Sequence, residues 1–98
     1  MKVLKLEGNR IIETETANTL EALQAEVDGY IEAVTLIPDK AVMIVNEEGL
    51  LRGMAPNPIA SAAANTQIVG TAIIVGVDGE EFTDVPEDVV KCIRALFA

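Results

Sequence analysis

The stretch "YIEAVTLIPDKAVMIV", residues 30 to 45, decides the fold. Tyr30 to Ile37 is rich in β-branched residues, which fit a pleated strand, and Pro38-Asp39-Lys40 has the residues of a turn. Ala41 to Val45 is almost wholly apolar. The pair therefore reads as an antiparallel hairpin whose second strand is central in a sheet.

On the N-terminal side, Val3 to Glu7 mixes apolar and charged residues at short period, Gly8-Asn9 signals a turn, and Ile11-Ile12-Glu13 continues a hairpin. Asn18 with Glu21 three positions later reads as a capping box. Leu20, Leu23 and Val27 follow at helical spacing, and Asp28-Gly29 is a stop, so a helix is expected over about residues 19 to 28.

On the C-terminal side, Glu47-Glu48-Gly49 turns the chain, and Leu50-Leu51-Arg52 reads as a brief returning strand before Pro56 and Pro58 prevent regular pairing. Ile59 to Asn65 contains four alanines and fits one helical turn or two. Ile68 to Val77 is the second strongly apolar strand, with Gly70 and Gly76 near its ends, and Asp78-Gly79 is a hairpin signal leading into Glu80 to Thr83. Asp84 with Glu87 forms another capping pair, Pro86 suits a first turn, and Val89, Val90, Ile93, Leu96 and Phe97 supply an amphipathic face. Strands outnumber helices without βαβ alternation. The expected class is α+β, a mainly antiparallel sheet with two or three helices packed on one face.

Ninety-eight residues fit one compact domain, residues 1 to 98, and an apolar content of 50% with 23% charged residues supplies a real core. Seven Lys plus Arg against sixteen Asp plus Glu leave a formal charge of −9, which repels a phosphate backbone, and Tyr30, Phe82 and Phe97 are too few for a base-stacking platform. No direct nucleic-acid partner is expected. The start, "MKVLKLEGN", lacks the uninterrupted apolar core of a signal peptide, and no run approaches membrane-spanning length. The expectation is a cytoplasmic protein without a membrane partner.

With no histidine and a single cysteine, Cys92, the sequence excludes Ser-His-Asp and Cys-His catalysis, structural zinc sites and an intramolecular disulfide framework. Cys92 among Val89, Val90 and Ile93 reads as an inert buried thiol. Glu47-Glu48 and Glu80-Glu81 are adjacent acidic pairs beside glycine in turns, where they read as solvated charge rather than as a metal or acid/base pair. No phosphate-loop, dinucleotide or EF-hand motif occurs. No enzyme, cofactor or metal is expected.

Arg52 lies inside the polar, turn-rich segment "NEEGLLRGMAPNPIAS", residues 46 to 61. It reads either as a bidentate phosphate contact or as an ion pair with Glu47 or Glu48 across the turn. Asn57, between two prolines, either bonds its own backbone to hold the turn or aims a rigid amide at a ribose or base edge. Tyr30 opens a strand on whose face Glu32 also lies, and a lone tyrosine is ordinarily a core residue with a wet hydroxyl. Arg94 reads as a surface residue of the terminal helix.

"LEALQAEVDGYIEAV", "VMIVNEEGLLRGMAPNPIAS", "IVGTAIIVG" and "DGEEFTDV" occur in this order from about Leu20 to Val85. Together they resemble a small bacterial and phage family known as a domain of unknown function, through Gly29-Tyr30-Ile31-Glu32, Asn46-Glu47-Glu48-Gly49, Asn57 with Ala60, and Gly70. The resemblance implies a phage or mobile-element setting and transfers no catalytic residues. The candidate ligand-binding set is Arg52, Asn57, Asn46, Glu47, Tyr30 and Glu32, with Arg52 and Asn57 sharing one pocket for a phosphate-bearing molecule. The expected function is a non-enzymatic small binding protein, homo-oligomeric, that sequesters a nucleotide-type immune signal. The alternatives are an acidic antagonist of a host protein, including a nucleic-acid mimic, and a ligand-free accessory domain.

Overall fold

A computed structural model describes residues 1–97; Ala98, the last residue of the expected domain, lies outside the described residues. The elements are β1 (Lys2–Glu7), β2 (Arg10–Glu15), α1 (Leu20–Val27), β3 (Ile31–Ile37), β4 (Ala41–Asn46), α2 (Pro58–Ala64), β5 (Ala72–Asp78), β6 (Glu81–Thr83) and α3 (Glu87–Phe97). All pairings are antiparallel, in the order β2-β1-β5-β4-β3. The class is α+β.

β5 occupies the centre because Ile73, Ile74 and Val75 are apolar on both faces, so it can be covered on both. Gly76 pairs with Ala41 of β4 on one side and with Thr83 of β6 on the other, while Ile74 pairs with Met43 and with Leu4 of β1. β1 and β6 thus share one edge of β5, end to end. The junction is closed where the Val85 N–H donates to the Lys2 carbonyl (2.9 Å) and the Lys2 N–H donates to the Asp84 carboxylate (2.7 Å).

Strand alternation divides the core. Leu4, Leu6, Met43, Val45 and Ile74 point to the face carrying α2 and α3, where they meet Ile59, Ala60, Val89, Val90 and Ile93. Val3, Ile44, Ile73 and Val75 point the other way, onto Leu23 and Val27 of α1. Two helices share one face as expected, and the third, α1, covers the opposite one. Each fully buried leucine or isoleucine contributes about 1.5–3 kcal/mol, so both layers are needed for a chain of this size.

Several local expectations change. Thr19, not Asn18, caps α1, its Oγ1 accepting from the Ala22 N–H at 3.2 Å, while the Asn18 amide donates to the Phe82 carbonyl. Asp84 does not cap α3 but binds the Lys2 amide, and the Pro86 carbonyl accepts the first helical bonds from Val89 and Val90. Leu50-Leu51-Arg52 forms successive turns rather than a strand. β5 starts at Ala72, four residues later than expected, because Gly70 takes φ +74, outside the strand region, although Val69 still makes an isolated bridge to Pro56. Cys92 is exposed on the flank of α3 rather than buried, and Leu96 is also exposed. Tyr30, expected in the core, is 64% exposed. Among the described residues no helix is long and apolar enough to cross a membrane.

Candidate functional site

The segment from Asn46 to Ser61 is anchored at both ends by a buried asparagine, and these are the buried polar residues among those described. Asn46 ends β4. Its Nδ2 donates to the carbonyls of Val27 and Asp28 at the end of α1, both at 3.0 Å, and its Oδ1 accepts from the Glu48 N–H at 2.7 Å. One side chain thereby bonds the last carbonyls of a helix and holds the turn that follows another strand.

Arg52 reinforces the same junction. Its guanidinium donates to the Asp28 carbonyl and lies 3.1 Å from the Asp28 carboxylate. The ion pair expected with Glu47 or Glu48 is made with Asp28 instead. Asp28 has φ 62 at the end of α1, which turns its carbonyl and side chain toward Arg52. Gly29 follows at φ +153, where an added Cβ would sit 2.7 Å from Asn46 Nδ2 and 3.0 Å from Arg52 Nη1. Only glycine leaves room for both donors.

Asn57 is the second anchor, 1% exposed. Its Oδ1 caps α2 by accepting from the Ala60 N–H (3.1 Å), and its Nδ2 donates to the carbonyls of Leu6 (3.0 Å) and Gly70 (2.9 Å). Leu6 pairs with Ala72, so the amide bridges the two chains just where the β1–β5 ladder stops. Both amide hydrogens are used. Arg52 and Asn57, expected to share a pocket, do not: one ties α1 to the turn on the exposed surface, the other lies beneath α2.

Three of the remaining candidates do converge. A cleft of about 240 Å³ is lined by Glu32 and Val34 of β3, Val45 and Asn46 of β4, Glu47, Leu50, and the segment Thr66 to Val69 that leads from α2 to β5. Glu32 opposes Val45 in the register, and the Glu47 N–H donates to the Tyr30 carbonyl at 2.8 Å. Glu32 and Glu47 are therefore diagonal neighbours on one face of the sheet. Among the described residues neither carboxylate has an ion-pair partner, and no Lys or Arg lines the cleft. Val34, Val45, Ile68 and Val69 give it apolar walls, with Thr66 and Gln67 adding a hydroxyl and an amide at the exposed side. Tyr30 lies outside it, in a shallow depression with Gln24, Gly29 and Glu48.

Thr66, Gln67 and Leu50 were no part of the sequence-derived set. Nothing local marks Thr66-Gln67, and their relevance arises only because the α2–β5 connection passes over the β3–β4 hairpin. Among the described residues no three Cys, Asp or Glu side chains gather as a ligand set.

The chain belongs to the family described as Domain of unknown function (DUF3846), which matches residues 1–98. No curated protein and no solved structure matches it.

Proposed function

We propose that this family member is a non-enzymatic binding protein whose acidic cleft receives a lysine or arginine side chain presented by a partner protein. The observation that carries the reading is the pairing of two carboxylates, Glu32 and Glu47, neither with a cation beside it, over apolar walls that fit an alkyl stem. A volume of about 240 Å³ suits one side chain, below the range of about 300–1,000 Å³ typical of drug-sized sites.

Magnitudes favour a side chain on a larger surface over a free amine. Two solvent-accessible charge pairs contribute about 0.4–2 kcal/mol together, whereas even millimolar affinity needs about 4 kcal/mol. The remainder must come from surface around the cleft. Leu50 on its rim is 63% exposed and the adjacent Leu51 88%, apolar area that a partner would cover. The overall charge of −9 further steers basic surfaces toward the molecule. The phage or mobile-element setting implied by the resemblance would make such a partner a host protein. A nucleotide-type ligand, expected from Arg52, would meet carboxylates in this cleft and would need Arg52 released from Asp28.

The test is a low-salt titration of the isotope-labelled protein with a short peptide of alternating arginine and leucine, alongside a nucleotide panel. The peptide should move the amide signals of Glu32, Glu47, Thr66 and Gln67, and the double substitution Glu32→Gln, Glu47→Gln should remove the effect. Peptide binding that ignores that substitution overturns the cleft. Nucleotide binding lost in Arg52→Ala restores the phosphate reading in its place.

A further inference from the structure

β3 is an outermost strand, and the parity of its ladder fixes which backbone groups are free. The Glu47 N–H donates to the Tyr30 carbonyl (2.8 Å), and that pair continues the register that sets Glu32 opposite Val45 and Val34 opposite Met43. Antiparallel ladders bond every second pair, so Glu32 and Val34 direct their N–H and C=O groups to β4. The other side of β4 agrees: the Val77 N–H donates to the Lys40 carbonyl (3.0 Å), so even-numbered residues of β4 face β5 and odd-numbered ones face β3. Ile31, Ala33 and Thr35 therefore turn both backbone groups outward, and among the described residues no hydrogen bond reaches those groups. Other free edges are blunted: β2 carries Arg10, Glu13 and Glu15, and β6 is three residues long. β3 pairs regularly from Ile31 to Thr35 with Glu32 as its sole charge, which leaves this edge open to a further strand.

The cleft side of the edge selects the occupant. A strand added antiparallel exchanges bonds with Ile31, Ala33 and Thr35. Glu32 and Val34 then fall in the non-bonded pairs, where opposed Cα atoms lie about 4.5 Å apart and side chains approach most closely. Both line the acidic cleft, and among the described residues Glu32 has no ion-pair partner. The residue set opposite Glu32 thus lays its side chain beside that carboxylate, and β4, which leads into Glu47, lies about 4.8 Å further in, within the span of a lysine or arginine stem. Two positions earlier in the added strand, the residue opposite Val34 meets an apolar wall. A second copy of this chain fits poorly, because its own β3 offers Glu32 no cation and it brings another formal −9.

We infer that the partner carries its basic residue on an extended segment that adds to β3 as one more antiparallel strand, in the order apolar residue, any residue, then lysine or arginine, with the basic residue opposite Glu32. The inference rests on the cleft reading above and adds to it main-chain bonds along Ile31–Thr35, which supply affinity that two exposed charge pairs do not, while alternate side chains supply specificity.

Amide hydrogen exchange and NMR titration with a short capped peptide, uncharged except for the arginine of a central Val-Thr-Arg, test it. Saturating peptide should slow exchange of the Ile31, Ala33 and Thr35 amides at least tenfold and leave those of Glu32 and Val34, already bonded to β4, little changed. N-methylation of the peptide's threonine, whose amide faces Ala33, should weaken binding at least tenfold. N-methylation of its arginine, whose amide faces away, should not. Ala33→Pro, which removes an outward N–H and no bond of the β4 ladder, should keep the parent's circular dichroism and bind at least tenfold more weakly, and the methylated peptides make the same test on the parent chain. The double substitution Glu32→Gln, Glu47→Gln separates the two readings. If it abolishes binding while both methylated peptides bind alike, the cleft stands and the added strand is overturned. If the methylation pattern holds but binding ignores the substitution, the cleft reading fails and the basic occupant with it. A peptide that does not bind overturns the inference, as does protection of the Ala33 amide that rises with protein concentration in the absence of peptide, the mark of a second copy on this edge.

Discussion

Replacing Asn57 by alanine should be the most damaging single polar change in the chain. Three backbone groups lose a partner at once: the Ala60 N–H at the start of α2, and the carbonyls of Leu6 and Gly70 at the end of the β1–β5 ladder. Loss of the cap costs about 1 kcal/mol. Each carbonyl adds about 1 kcal/mol, the lower end for an orphaned buried group because its second lone pair remains. The sum is about 3 kcal/mol, a large part of the 5–15 kcal/mol typical of a whole domain, and corresponds to a fall in Tm of about 12–24 °C. Asn57→Ser keeps an acceptor for the Ala60 N–H and loses most of the amide's donation, so it should fall between. Urea denaturation followed by circular dichroism gives both values, with the slope m checked for constancy. A loss near 1 kcal/mol in Asn57→Ala, together with a neutral Asn57→Ser, would refute the bridging role and leave only a helix cap.

Thr19→Ala should cost about 1 kcal/mol as a lost cap, and Asn18→Ala clearly less, by the same denaturation measurement. Arg52→Ala should lower stability by less than about 1 kcal/mol, since its side chain is 43% exposed, whereas Gly29→Ala should cost more by displacing Asn46 and Arg52 together; thermal melts rank the two. Lys5, held 3.0 Å from Glu26, has its pKa raised above 10.5, chiefly by that hydrogen bond against the opposing effect of burial. Its contribution is present below 10.5 and fades as pH rises through the raised folded value, so Tm should fall further between pH 9 and 12 in the parent than in Glu26→Gln. Asp88 is shifted oppositely, its carboxyl lowered below 3.8 chiefly by the Lys40 hydrogen bond. What that pair contributes is lost only as pH falls through the lowered value, and an NMR titration should find Asp88 ionised below pH 3.8 and returned toward it in Lys40→Met.

The β3–β4 hairpin was legible because its signals are local: a Pro-Asp turn, with Asp39 at φ 60, before five residues without a charge. Helix starts were legible only to within one or two residues. Asn18 and Thr19 are both capping types, and the choice falls to Thr19 because the Asn18 amide is taken by Phe82, sixty-four positions away. Asp84 fails as a cap for the same kind of reason, its carboxylate drawn to the Lys2 amide. Cys92 has buried neighbours at Val89 and Ile93, yet lies a turn-fraction away from their stripe and faces outward. The polar segment 46–61 stands out in the sequence by its turn residues, but its asparagines point inward to backbone carbonyls that only the folded chain brings near. The cleft was half legible: Glu32 and Glu47 follow from strand register, while Thr66 and Gln67 depend on where a connection crosses the sheet.

The position of β5 has a kinetic consequence. The β1–β2 and β3–β4 hairpins are complete by residue 46, each closed by a short turn and able to form within microseconds. They do not touch each other in the sheet. The strand that joins them, residues 72–78, comes later, and seating it against β1 closes a loop of more than sixty residues. Until that happens β1 and β4 each present a bare apolar edge, so the slow step of folding should be insertion of β5 between two waiting hairpins, and substitutions in β5 should slow refolding more than equally destabilising ones in β2. A ribosome releasing this chain would face the same interval, with two unpaired edges in solution until Asp78 emerges.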